Sequence, residues 1–249
     1  MKYFFALGLI FGFISLNAQS YTAVRNVPDD IIKLKPTVAQ RTDTNQLYFD
    51  DNGVALSYTQ FNKLLISGQY VAKPADEITN PRRISLKKLS SEAYEKLNHF
   101  IRDNTSIQNE HISTGKKLDV SVLIPHFKAA RSTNQVLVQI YWYAGCKSCD
   151  ESLTQLSAFV KELDNPKNLS FAIITTDDIA LVNKKLANNP IPNAEIIGSG
   201  KTIADAYEIT EFPAYIVSDK SQMIRYAVAG SSRLTIPDLK TAIKTALSE

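Results

Sequence analysis

Apolar positions along the chain change period several times, and each change predicts an element. Gln46 to Phe49 is strand-like, Asp50-Asp51-Asn52-Gly53 is a turn signal, and Val54 to Leu56 suits the return strand. Tyr58, Phe61, Leu64 and Leu65 recur at helical spacing, and Gly68 ends that helix. Pro74 and Pro81 mark a loop, and Ser90-Ser91 caps a helix over Glu92 to Ile101 with Tyr94, Leu97 and Ile101 on one face. Before these elements, Tyr21 to Gln40 holds Pro28 and Pro36 with few periodic apolar positions and reads as an extended arm. Residues 19–115 together form a small α+β region.

The texture changes near Lys116. Val120 to Ile124 predicts a strand and Pro125 to Ala130 a short helix. Val136 to Trp142 is apolar or aromatic except for Gln139, which suits a strand buried on both faces. Leu153, Leu156, Val160 and Leu163 then line a helix that Asn165-Pro166 stops. Leu169 to Thr175 is a second buried strand, and Asp177-Asp178 caps a helix to about Leu186. Asn189-Pro190-Ile191-Pro192 reads as a loop and Ile203 to Tyr207 as a short helix. Pro213 to Val217 and Met223 to Val228 are two strands joined by Ser218-Asp219-Lys220-Ser221, and Leu239, Ile243 and Leu247 line a last helix. Residues 116–249 therefore predict an α/β domain around a mixed sheet flanked by helices.

The first residues change the picture of location. Lys2 is followed by an almost uncharged apolar run from Tyr3 to Leu16, and Leu16-Asn17-Ala18 offers a small residue before Gln19. That is the layout of a cleaved signal peptide over residues 1–18. The run is shorter than the roughly 20 residues a spanning helix needs, so an uncleaved anchor is the weaker reading. No later stretch is long and apolar enough to cross a membrane. The protein is expected to be exported, to the periplasm if the source is a Gram-negative bacterium. Its formal charge of +3 is scattered, which excludes an extended nucleic-acid surface. The basic residues at Arg82-Arg83 and Lys87-Lys88 read as a solvated face.

The chain has 2 cysteines, Cys146 and Cys149. A pair this close shuts almost no loop, so it contributes little to stability by chain entropy and points to chemistry instead. Cys146 falls where the apolar strand ends and the Leu153 helix begins. There, free backbone N–H groups and the positive end of the helix dipole favour a thiolate. Lys147 adds a cation beside it, while Asp150 and Glu151 act the other way. Structural zinc needs four ligands, and His99, His111 and His126 precede the pair without ligand spacing, so no metal site is read. Cu(I) held by the dithiol alone stays open, because soft thiolates suit that ion.

These residues resemble the thioredoxin superfamily from about Val120 to Leu247. The likeness rests on the strand leading into Tyr141-Trp142-Tyr143-Ala144-Gly145-Cys146-Lys147-Ser148-Cys149. It rests also on Ala206-Tyr207-Glu208-Ile209-Thr210-Glu211-Phe212-Pro213, and on the strand pair from Ala214 to Gly230. The long stretch between Cys149 and Pro213 looks like the exported TlpA and ResA type. The resemblance implies a thioredoxin-like fold, a cis Phe212–Pro213 bond facing the cysteines, and exchange of disulfides with protein substrates. Cys146 would attack, Cys149 would resolve, and Phe212 and Pro213 would hold the substrate peptide. Trp142 is expected to flank the dithiol, exclude water and take part in substrate contact. No organic cofactor is required. The partners implied are protein thiols or disulfides and a membrane or periplasmic redox protein, with no nucleic acid. The chain departs from the family at Gly145, where a tryptophan is usual, and at Lys147-Ser148, where thioredoxin has Gly-Pro. It departs again at Ile140, where thioredoxin has a buried acid, and at Ser152, where the TlpA type has a glutamate. A second reading is a redox-inactive protein that uses the fold as a binding or assembly platform.

Overall fold

The computed structural model describes residues 46–73, 83–132, 134–163, 166–187, 190–198 and 200–249. The expected signal peptide at 1–18, the expected arm at 21–40, the loop expected around Pro74 and Pro81, and the breaks expected at Asn165 and Asn189 fall on residues outside the described ones.

The N-terminal part is built on a 4-stranded sheet of order β2-β1-β4-β3. Strands β1 (Leu47–Phe49) and β2 (Ala55–Leu56) form an antiparallel hairpin. Its turn is held by the Asp50 carboxylate, which accepts the Asn52 and Val54 N–H groups at 2.9 and 2.8 Å. Helix α1 (Tyr58–Ile66) starts with a capping box, Ser57 and Gln60 each accepting the other's backbone N–H. Gly68 takes a φ of +70° just past its end, the left-handed conformation glycine adopts without strain. Strands β3 (Tyr70–Lys73) and β4 (Arg83–Lys88) pair antiparallel, and β4 runs parallel to β1. Neither strand was foreseen. Ile84 and Leu86 do alternate with Arg83, Ser85 and Lys87, but the charges hide that period. Helix α2 (Ser91–Thr105), capped by Ser90, runs one turn past Ile101.

The C-terminal part is a 5-stranded sheet of order β7-β6-β5-β8-β9. The strands are β5 (Val136–Trp142), β6 (Leu169–Thr175), β7 (Ala194–Ile197), β8 (Ala214–Ser218) and β9 (Ile224–Ala229). Strands β5, β6 and β7 are parallel, while β8 pairs antiparallel with both β5 and β9. The helices are α3 (Lys147–Glu162), α4 (Ile179–Leu186), α5 (Gly200–Ala206) and α6 (Thr235–Ser248). Alternation along β5 separates two cores. Val136, Val138, Ile140 and Trp142 face Leu156 and Phe159 of α3 and Leu239 and Ile243 of α6. Leu137 and Tyr141 face Phe127, Ile203 and Tyr207 on the other side. This mixed sheet covered on both faces is a thioredoxin-like fold.

Two local expectations need correction. Val120 to Ile124 is no strand: Val120–Val122 forms a turn of 3-10 helix. The Asp119 carboxylate accepts the Ser121 N–H at 3.0 Å, a local bond that competes with a sheet ladder. The next short helix is Lys128–Arg131, set later than the expected Pro125 start. Strand β7 is an element the periodicity does not announce, being only four residues long and just past Pro190 and Pro192.

The segment between the two sheets lies along the outer edge of β9. Ile107 N–H donates to the Ala227 carbonyl at 2.9 Å, and Gly115 and Lys116 exchange bonds with Ile224 at 2.8 Å. Ile112 and Leu118 are buried in the second core. Arg233 ties the parts further, donating to Asn98 of α2 at 2.6 Å and lying 5.0 Å from the Tyr94 ring.

Candidate active site

Strand β5 delivers the chain to the site, and α3 begins there. Cys146 is the N-cap of α3, with extended backbone at φ −86° and ψ 100°. Its sulfur accepts the Cys149 N–H at 3.2 Å, one of the helix N–H groups that has no partner within the helix. Cys146 and Cys149 are joined as a disulfide with Cα atoms 5.2 Å apart. Cys146 keeps 5% of its surface and Cys149 none, so an incoming sulfur reaches Cys146 first. In the reduced protein the same cap position directs a backbone donor and the helix dipole at the Cys146 sulfur, which favours its thiolate.

The Phe212–Pro213 peptide bond is cis. Pro213 directly precedes β8, whose Ala214 pairs with Tyr141 of β5, so the cis bond stands at the end of β5 from which the cysteine loop leaves. Pro213 is buried and Phe212 half-buried. The Phe212 ring meets Tyr141 and Tyr143 edge-on, with centroids 6.2 and 6.4 Å away. Tyr143 is exposed, at 42%. Its ring lies against Gly145, where a Cβ atom would come within 3.4 Å of it. A Cβ at Gly145 would thus rest in ordinary van der Waals contact with the Tyr143 ring.

Trp142 departs from expectation. It has 0% exposure and packs in the same core cluster as both cysteines. A side chain so enclosed offers no surface to a substrate protein. The period of β5 explains this, since Trp142 shares the inward face of Ile140 while Tyr143 is past the strand. Lys147 is the first residue of α3, and its side chain lies outside the described atoms.

Three groups escaped the sequence reading. Asp177 accepts the Ala144 N–H, and Lys185 donates to the Ala144 carbonyl. Asp178 caps α4, accepting from Ala180 at 2.9 Å and Leu181 at 3.2 Å, so the aspartate before it, Asp177, was the available signal of another role. Tyr215 stands across the ladder from Ile140, the position of the missing acid. Burial pushes its phenol up to about 12, with a bond to the Ser152 hydroxyl working against that rise. The neutral hydroxyls of Tyr215 and Ser152 thus lie in the core that also holds Cys149, and a proton acceptor of carboxylate type is absent from Ile140.

No protein-family model matches the sequence, and no curated protein matches it. Solved structures align with about half of it. A candidate thiol:disulfide interchange protein DsbE from Chlorobium tepidum is 19% identical over 46% of this chain and 82% of its own, with a TM-score of 0.41. The thioredoxin domain of a thiol-disulfide oxidoreductase from Bacteroides vulgatus is 18% identical over 46% of this chain and 81% of its own, with a TM-score of 0.38. A thiol:disulfide interchange protein from a Bacteroides species is 18% identical over 47% of this chain and 76% of its own, with a TM-score of 0.39. What fixes the fold is internal to the chain: the strand order β7-β6-β5-β8-β9, the cis proline opening β8 and the cysteine pair capping α3 make its C-terminal half thioredoxin-like.

Proposed function

We propose that the protein is a thiol–disulfide oxidoreductase that acts on protein substrates outside the cytoplasm. The observation that carries this reading is Cys146 at the cap of α3, bonded to Cys149, with its sulfur on a helix N–H. In the reducing direction the Cys146 thiolate attacks one sulfur of a substrate disulfide. A mixed disulfide forms and the other substrate sulfur leaves as a thiolate that takes a proton. Cys149 then loses its proton and attacks Cys146, closing the internal disulfide and releasing the second substrate thiol. Two electrons pass from the dithiol to the substrate. The oxidising direction is the reverse, with a substrate thiolate attacking Cys146 of the closed pair. The two cysteines keep distinct roles because only Cys146 has exposed surface.

Phe212 and Pro213 border the cysteine loop and supply the docking edge for an extended peptide, and Tyr143 adds an exposed aromatic beside them. Lys147 favours the thiolate from the first position of α3. Turnover requires a second redox protein, in the membrane or the same compartment, to restore the pair. The apolar segment of residues 3–16 supports export. Among the described residues no helix is long and apolar enough to cross a membrane.

The test is exchange with a protein disulfide. The purified protein should reduce a disulfide-bonded test protein in the presence of a dithiol donor. Cys146→Ser should abolish that reaction, and Cys149→Ala should accumulate a mixed disulfide through Cys146. A wild-type protein that neither reduces nor oxidises protein substrates would overturn the proposal.

A further inference from the structure

We infer that Lys185 sets the reactivity of the dithiol, acting as a positioning residue from α4. This rests on the redox role proposed above. Lys185 lies far from the cysteines in sequence, yet its ammonium reaches both sides of the motif. It donates to the carbonyl of Ala144, two residues before Cys146, and stands 3.4 Å from the carboxylate of Asp150, the residue after Cys149. Its ammonium also lies 5.9 Å from the centre of the Trp142 ring, which packs in the core cluster that holds both cysteines. The Ala144 N–H is taken by Asp177 from the loop before the same helix. Both backbone groups of Ala144 are thus held by side chains of opposite charge from one neighbouring segment. That fixes the approach to Cys146 and brings a cation to a place where the described carboxylates would otherwise dominate.

The charge arithmetic gives this grip a chemical consequence. Titratable and charged groups on the elements around Cys146 include Tyr143 on its own loop, Lys147, Asp150 and Glu151 on α3, Asp177 after β6, Lys185 on α4, Glu211 before the cis proline and Tyr215 on β8. Four of these are carboxylates, and carboxylates near a thiolate oppose its formation. Asp150 lies in the first turn of α3, on the same helix end as the thiolate. By pairing with Asp150, Lys185 offsets the carboxylate that shares the N-terminal end of α3 with Cys146. With a side chain only 35% exposed, its charge is screened less than that of a free surface lysine. A thiolate stabilised in this way favours the reduced form of the pair, which raises the reduction potential.

The test uses the full chain in reduced form. The pH dependence of Cys146 alkylation reports its thiolate, and equilibration with glutathione reports the potential. Lys185→Met should raise the Cys146 pKa, lowering the thiolate fraction at neutral pH about threefold to tenfold, and the potential should fall by about 15–30 mV, at roughly 30 mV per tenfold for a two-electron couple. Lys185→Arg should retain both values. Asp150→Asn should shift both the opposite way. A purely structural lysine would change thermal stability and leave the alkylation profile in place. An unchanged profile and potential in Lys185→Met would overturn the inference. Should that variant fail to fold, an unshifted Asp150→Asn would overturn it alone. Absence of any disulfide exchange by the wild type would sink the enzymatic role instead, while the alkylation profile would still read the effect of Lys185.

Discussion

The two sheets of this protein bury very different amounts of apolar surface. In the N-terminal sheet and its helices, Phe61 and Leu86 are the fully buried large apolar side chains among the described residues, and Leu47, Val54, Tyr58 and Ile66 are exposed. In the C-terminal sheet every residue of β5 is buried, and cores lie on both faces. The difference teaches where a reactive pair can be mounted. A cysteine held at a helix cap needs an immobile strand before it and a packed helix after it, and only the C-terminal sheet supplies both. Strands of 3 and 2 residues, like β1 and β2, are too easily opened to hold two sulfurs in line.

That comparison can be broken most forcefully in the larger core. Phe159 packs between α3 and α6 with Lys240 and Lys244 about its ring at 5.4 and 5.6 Å. Phe159→Ala should cost about 3–5 kcal/mol and lower the midpoint of global thermal unfolding. A loss below about 1 kcal/mol would mean that the core is loosely packed. Phe61→Ala comes next, at about 3 kcal/mol, but its effect should stay local. Hydrogen exchange should quicken over residues 46–105, while the β5 amides and the dithiol potential hold. A changed potential would show that the N-terminal sheet supports the site directly.

Arg233 sharpens the comparison because it belongs to the C-terminal part and reaches into the other. Arg233→Met removes the bond to Asn98 and the contact with Tyr94, a loss of about 1.5 kcal/mol. Exchange in α2 should rise more than exchange in α6, as measured amide by amide. The smallest effect is at Asp219, in the β8–β9 turn. Burial alone would raise its pKa, but bonds from the Ser221 hydroxyl, the Met223 N–H, Arg225 and the Ser221 N–H outweigh that and hold it below the usual carboxylate range. The stability this contributes is present above the ordinary carboxylate pKa and is lost as pH falls through the lowered one. Asp219→Asn should therefore flatten the acid limb of the stability profile while leaving the neutral region lower and level. An unchanged acid limb would remove Asp219 from that account.

Legibility in the sequence follows the same division. The largely apolar runs of β5 and β6, broken by Gln139 and Ser170, announce themselves because burial on both faces favours apolar residues, and the cap at Asp178 and the cysteine spacing stand out beside them. The cis bond at Pro213 was implied by family resemblance and not by local chemistry. Strands β3, β4 and β7 were hidden, being short and either charged on one face or fenced by prolines. Trp142, expected to flank the dithiol and touch substrate, ends β5 on the inward face of Ile140, and the exposed ring is that of Tyr143, one step past the strand. Lys185 and Asp177 left almost no trace. Their meaning depends on α4 folding back against the cysteine loop, a contact between distant parts of the chain.

The segment running along β9 determines where this protein can be divided. Any shortened form beginning at residue 116 would surrender Ile112, which is wholly enclosed, together with the rung that Ile107 makes to Ala227. The bare margin of β9 would then offer its unpaired groups to another chain, inviting aggregation. A form that begins at residue 106 keeps its own selvedge and should remain a monomer by light scattering where the shorter one clumps.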